Sequence, residues 1–211
     1  DDYTMKVKHL VGAFLCVLGC YACSSPKTEV QSPDGHIKMT LTVDENGKPF
    51  YNVSVDDSLL IENSAMGFTA ANGIILAEGF QVKNTTFSSE DETWTQPWGE
   101  NKKNRNHYNE MAVSLTNEDQ VQLTLRFRVF DDGIGFRYEY TVPTVDSLLI
   151  TDELTTFRFH RDGTSWSIPA SAETYELLYQ QQPISEVETA NTPFTFKTAD
   201  GVYGSIHEAA L

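Results

Sequence analysis

VQLTLRFRVFDDGIGFRYEYTV, residues 121–142, decides the fold. Val121, Leu123, Leu125, Phe127 and Val129 alternate with Gln122, Thr124, Arg126 and Arg128. After Asp132-Gly133 the alternation resumes through Ile134, Phe136, Tyr138, Tyr140 and Val142. Successive side chains of a strand point to opposite faces, so each run presents an apolar face and a polar one. Two such runs joined at an Asp-Gly pair predict an antiparallel hairpin.

The same grammar extends in both directions. Ile37, Met39, Leu41 and Val43 alternate with Lys38, Thr40 and Thr42, and Tyr51, Val53 and Val55 form another run. Phe194 and Phe196 face a strand from Val202 to His207 across Asp200-Gly201. Asp34-Gly35, Asn46-Gly47, Asn72-Gly73 and Asp162-Gly163 are further pairs of the kind that supply positive φ in tight turns. No sustained helical stripe exists; Glu173–Tyr179 reads equally as one helical turn or as a strand. Many short alternating strands with X-Gly turns predict an all-β fold, an antiparallel β-sandwich running from Asp34 to the end.

The chain has 211 residues, 40% of them hydrophobic and 11% aromatic. That is a globular composition, and a body of this size buries roughly 70% of its unfolded surface. Thirty Asp and Glu against 15 Lys and Arg give a net charge of −15. Such a surface repels nucleic-acid phosphates and anionic membranes. A neutral polar ligand, or a cation held by carboxylates, fits better. No phosphate-cradling glycine motif is present.

All three cysteines, Cys16, Cys20 and Cys23, lie in the first 25 residues, so the body has neither a disulfide framework nor a thiolate metal site. Met5 is followed by Lys6 and Lys8, then by an apolar run from Leu10 to Leu18 that is too short to span a bilayer. This pattern predicts a bacterial export signal, with Asp1–Thr4 upstream of the start. Val17-Leu18-Gly19-Cys20 resembles a lipobox, which makes Cys20 the expected lipidation site. The expected organisation is residues 1–23 as leader, 24–33 as a tether of roughly 30 Å, and 34–211 as the sandwich. The expected destination is the periplasm, or the outer membrane as a lipoprotein, of a Gram-negative bacterium.

Thr93–Glu110, TWTQPWGENKKNRNHYNE, fits neither period and reads as a long functional loop. Its residue types suit a sugar. Indole faces cover the C–H faces of a pyranose, while carboxylate and imidazole groups hydrogen-bond its hydroxyls. Trp94, Trp98, Glu100 and His107 are the candidate substrate-binding residues. Against that stands a plainer reading, with the tryptophans as a plug beneath the loop and His107 as a structural hydrogen-bonding group. Glu100 and Glu110 flank the loop, but nothing in the sequence sets the carboxyl separation that glycoside hydrolysis needs. His207-Glu208 does not complete H-E-x-x-H, because position 211 is Leu. Glu208 is either a salt-bridging or capping residue, or a carboxylate open to a hard cation such as calcium.

These segments together resemble glycoside hydrolase family 97. The resemblance rests on Ser32-Pro33-Asp34-Gly35, Glu92-Thr93-Trp94 through Trp98-Gly99-Glu100, and Arg105 through Glu110. It also rests on Phe130 through Glu139, Ile150 through Leu154, Trp166 through Ala170, and Ser205 through Leu211. It implies the N-terminal super-sandwich of an exported α-glucosidase or α-galactosidase, calcium-dependent, with its catalytic carboxylates in a following (β/α)8 barrel. It implies that this domain packs on the barrel and that Glu208 is one calcium ligand. The substrate would be an α-linked oligosaccharide. The alternative expectation is a standalone carbohydrate-binding envelope lipoprotein without catalytic activity. Neither reading assigns a catalytic residue within these 211 positions.

Overall fold

The computed structural model describes residues 28–209. The leader, with Cys16, Cys20 and Cys23, lies outside the described residues. The strands in chain order are β1 (Glu29–Gln31), β2 (Ile37–Val43), β3 (Pro49–Val55), β4 (Ser58–Ala65), β5 (Phe68–Ala70) and β6 (Ile75–Leu76). Then come β7 (Gln81–Thr95), β8 (Lys103–Thr116), β9 (Gln122–Phe130), β10 (Gly133–Thr141) and β11 (Ile150–Glu153). The last four are β12 (Gly163–Ser167), β13 (Gln180–Pro183), β14 (Phe194–Thr198) and β15 (Tyr203–Ile206). Short 3-10 turns at Ala71–Gly73 and Ile184–Glu186 are the only helical elements among the described residues.

Two four-stranded antiparallel sheets, β1-β2-β3-β4 and β10-β9-β8-β7, face each other. Their inner faces carry the alternating residues of the sequence pattern. Met39 and Leu41 from β2 meet Leu123, Leu125, Phe127 and Val129 of β9, all essentially inaccessible to water. A three-stranded sheet, β11-β5-β6, closes one side: Phe68 packs edge-on against Tyr138, with ring centroids 4.6 Å apart. The Tyr140 hydroxyl donates to the Leu76 carbonyl.

The fourth sheet, β13-β12-β14-β15, is joined to β4 by the segment that leads into it. Residues 158–160 run beside β4 through Glu62 N–H to Arg158 O, His160 N–H to Leu60 O, and a bridge between Ile61 and Phe159. Phe159 then packs against Phe196 of β14 at 4.7 Å. Gly204 of β15 stands opposite that ring, where any Cβ would come within 2.4 Å of it.

The all-β antiparallel sandwich is as expected, and three local expectations change. Turn chemistry differs from the X-Gly reading at Asp132-Gly133: the two-residue turn is Asp131-Asp132, and Gly133 already pairs with Phe130 as the first residue of β10. The body also begins before residue 34, because Glu29–Gln31 of the expected tether pair with Lys38–Thr40. Glu173–Tyr179 is neither a helical turn nor a strand.

Candidate functional site

The stretch expected to be a loop, Thr93–Glu110, is mostly hairpin. β7 and β8 stay in register from Thr86↔Ala112 to Thr95↔Lys103, and only 96–102 form a turn. The period was hidden because this part of the hairpin has no apolar face. β9 pairs with β8 only as far as Tyr108↔Phe130. Beyond that rung, residues 91–95 and 103–107 continue as a bare two-stranded arm of about 17 Å at ~3.4 Å per residue.

Such an arm has no core, so its own side chains must hold it. Arg105 donates through Nε and Nη2 to both oxygens of Asp91, at 2.7 and 2.8 Å. Asn106 donates to Glu92 opposite it at 3.0 Å. At the tip the Gln96 amide donates to the Asn101 carbonyl at 2.8 Å. Trp98 is 85% exposed and Trp94 is half-exposed, so neither is a plug beneath the turn. Glu100 is exposed beside them.

His107 sits at the root of the arm, four positions from its outermost rung at Lys103, and does not join Trp98 or Glu100. Its Nδ1 lies 3.0 Å from Asp131 Oδ2, and Asp131 also accepts the Asp34 N–H. This chain of contacts ties the arm to the β1–β2 and β9–β10 turns. The plainer, structural account of His107 matches this geometry.

Glu110, ten residues from Glu100, is buried on the outward face of its sheet. It accepts from Arg126 at 2.5 Å and from Arg128 at 2.7 Å. Burial alone would raise its pKa, yet the two guanidinium hydrogen bonds hold it below the usual carboxylate range. Arg126 also grips Glu139, whose pKa falls to about 2 chiefly through that contact. Seven residue steps along β8, about 24 Å, separate Lys103 from Glu110, and Glu100 lies beyond the strand end. That exceeds the roughly 5–9.5 Å between paired carboxyls of a glycosidase. Glu100 and Glu110 are therefore not a catalytic pair.

Glu208 follows the last strand. β15 is an edge of its sheet, and Glu208 is exposed just beyond Ile206, with no ion pair among the described residues. Nor do the described residues contain any group of three His, Cys, Asp or Glu that could hold a metal ion. An exposed carboxylate such as Glu208 has the oxygen donors that a hard cation takes.

A sequence profile described as Glycosyl-hydrolase 97 N-terminal matches residues 30–211. This chain belongs to the glycoside hydrolase family 97 N-terminal domains. Among curated relatives it is 28% identical over 133 residues to a retaining alpha-galactosidase of Bacteroides thetaiotaomicron strain VPI-5482; the match covers 63% of this chain and 19% of that one. Solved structures of a family 97 enzyme from Pseudoalteromonas sp. strain K8, one with panose and one with acarbose, superpose with a TM-score of 0.79. Their identity to this chain is 38%, over 87% of it and 28% of theirs. The chain thus spans less than a third of the length of the relatives it matches.

Membership of family 97 accounts for the order of the quoted motifs, all of which fall within the matched region. The Glu173–Tyr179 stretch, to which the sequence assigned no functional role, is largely exposed as well. Tyr175, Leu178 and Tyr179 are exposed at 76%, 89% and 64%. Their signal was available: Tyr175-Glu-Leu-Leu-Tyr179 packs four apolar residues into five positions, more than one face of a helical turn or a strand can bury.

Proposed function

We propose that this chain is the wall module of an exported, calcium-dependent α-glycosidase that acts on α-linked oligosaccharides. It packs on the catalytic barrel of the same polypeptide and lends Glu208 to a calcium ion otherwise held by that barrel. The observation that carries this reading is the family match over 30–211 in a chain less than a third the length of its solved relatives. Support for the substrate class comes from those relatives, one bound to panose and one to acarbose, and from the alpha-galactosidase. The alternative of a standalone carbohydrate-binding lipoprotein draws no support from these relatives.

In this reading Glu208 supplies one carboxylate to the ion from the open edge of its sheet. When bound, the calcium supplies Lewis-acid polarisation at the glycosidic oxygen or support for the acid. Trp94, Trp98 and Glu100, displayed on the arm, offer stacking faces and an acceptor to a glycan. His107 holds the root of the arm. Cys20 anchors the exported protein through a lipid.

Hydrolysis of 4-nitrophenyl α-glucoside and α-galactoside tests the division of labour. The 211-residue chain alone is expected to be inert. The intact gene product is expected to cleave at least one of them and to lose that activity on chelation. Turnover by the chain alone, or full activity of the intact protein in excess chelator, overturns the reading.

A further inference from the structure

The register of the last sheet places two features together that are far apart in sequence. Gln180 pairs with Ser167, Trp166 with Thr195, and Phe194 with Ile206. Gln180, Ser167, Phe194 and Ile206 therefore form the last row across β13-β12-β14-β15. The chain enters this row through Tyr175–Tyr179 and leaves it through His207-Glu208. Both lie past the same end of one sheet, on its two outer strands. At about 4.8 Å per strand spacing, roughly 14 Å separates them.

The first of these segments is built unlike a surface loop. Ser171 Oγ accepts the N–H groups of Glu173 and Thr174, and Thr174 Oγ1 accepts that of Glu176, so its entry is fixed by short polar turns. Then come Tyr175, Leu178 and Tyr179, turned largely to water, with Leu177 among them 39% exposed. Contiguous apolar exposure of this kind marks an interaction surface. Asn191, just before β14 at the same end, keeps a buried amide nitrogen without a partner among the described residues.

We propose that Tyr175–Tyr179 is the clasp by which this domain docks the catalytic portion of the family 97 polypeptide, with Leu178 and Tyr179 buried in that interface. The inference rests on the proposed function and adds the surface that carries it. Two observations select this occupant. The matched relatives have chains more than three times as long as the part this domain spans. Glu208, the carboxylate assigned to the shared ion, leaves from the same sheet end as the clasp. The face is apolar, so the opposing surface is apolar as well, with Glu208 at its wetter margin.

Hydroxyl-radical footprinting of the intact gene product against the 211-residue chain tests this without a substitution. Labelling of Tyr175, Leu178 and Tyr179 should fall several-fold in the intact protein, while Tyr203 serves as an exposed internal reference on the same sheet. Equal labelling in the two proteins overturns the proposal. So does protection already present in the short chain together with a dimeric sedimentation coefficient, since the occupant would then be a second copy. As a second measurement, Leu178→Asp in the intact protein should split one calorimetric transition into two; an unsplit transition at the parent temperature counts against the clasp. Calcium affinity is a separate readout. Protection of the clasp with unaltered calcium binding in Glu208→Gln would uphold the docking surface and remove only the ligand role.

Discussion

The two four-stranded sheets and the β12–β15 sheet are made by the same alternation but end in opposite conditions. In the first pair, each apolar face meets another, and Phe127, Leu123 and Leu125 are sealed from water. In the last sheet, Phe196 and Ser165 are buried at one level, while the segments leaving its end expose Tyr175, Leu178 and Tyr179. The arm carries the contrast along single strands. β8 is buried from Glu110 to Val113 and half wet from Asn104 to His107. A face that finds its partner within the chain provides stability, and a face left open provides contact with something else.

Stability should therefore respond to substitutions in the order of that contrast. Phe127→Ala, at the centre of the sealed region, should cost about 3–5 kcal/mol in urea unfolding of the chain. A cost below that of the surface variants would break the comparison. Gly47→Ala should come next, at about 1–3 kcal/mol. Gly47 holds φ at 75°, and a Cβ there would sit 2.3 Å from the Phe80 nitrogen, where the β2–β3 turn meets the entry to β7.

Acid comes third. The folded pKa of Glu139 lies at about 2 against an ordinary value of 4.5, and that of Glu110 is lowered too. A depressed carboxylate stabilises the fold above its unfolded pKa and loses that contribution as pH falls through the folded value. Unfolding midpoints should thus hold near neutrality and drop between pH 4.5 and about 2. Glu139 is partly exposed, so water screens part of the effect. Glu139→Gln should flatten that drop, and an unchanged slope would show that the Arg126 ladder contributes nothing.

The open regions should give the smallest effects. Arg105→Ala removes the bidentate grip on Asp91, yet should leave the global unfolding midpoint nearly unchanged because the pair is exposed. Hydrogen exchange should nevertheless quicken at 91–95 and 103–107 while the rungs below Glu110 stay protected. Leu178→Asp should leave the short chain within about 0.5 kcal/mol of its parent. A large loss there would mean that Leu178 belongs to a core after all.

What the sequence conveyed follows the same division. Alternation identified β2, β9 and β10 because their inner faces are uniformly apolar, and the buried residues are those it named. It failed for the arm because Asp91, Thr93, Arg105 and His107 line one face without an apolar residue among them. It also missed the β3–β4 turn, where Asp56 and Asp57 adopt φ of 49° and 61° with no glycine to announce it. Local ties explain why aspartates suffice there: His36 Nδ1 bonds to Asp56, and Lys38 reaches Asp57 at 3.3 Å. Gly163 was read as a turn residue, but it is a strand residue kept small by the Lys197 carbonyl, 2.1 Å from where its Cβ would lie. Long-range proximity of this kind leaves no local pattern. The candidate site divides likewise. Trp98 and Glu208 are exposed, while His107 and Glu110 are committed to neighbours that only the register reveals.

The most direct measurement is calcium titration of the chelated, intact gene product by calorimetry, compared with its Glu208→Gln variant. The account predicts tight binding by the parent and at least about a tenfold loss in the variant, with the thermal unfolding of this domain unchanged. Equal calcium affinity in the two proteins would contradict it.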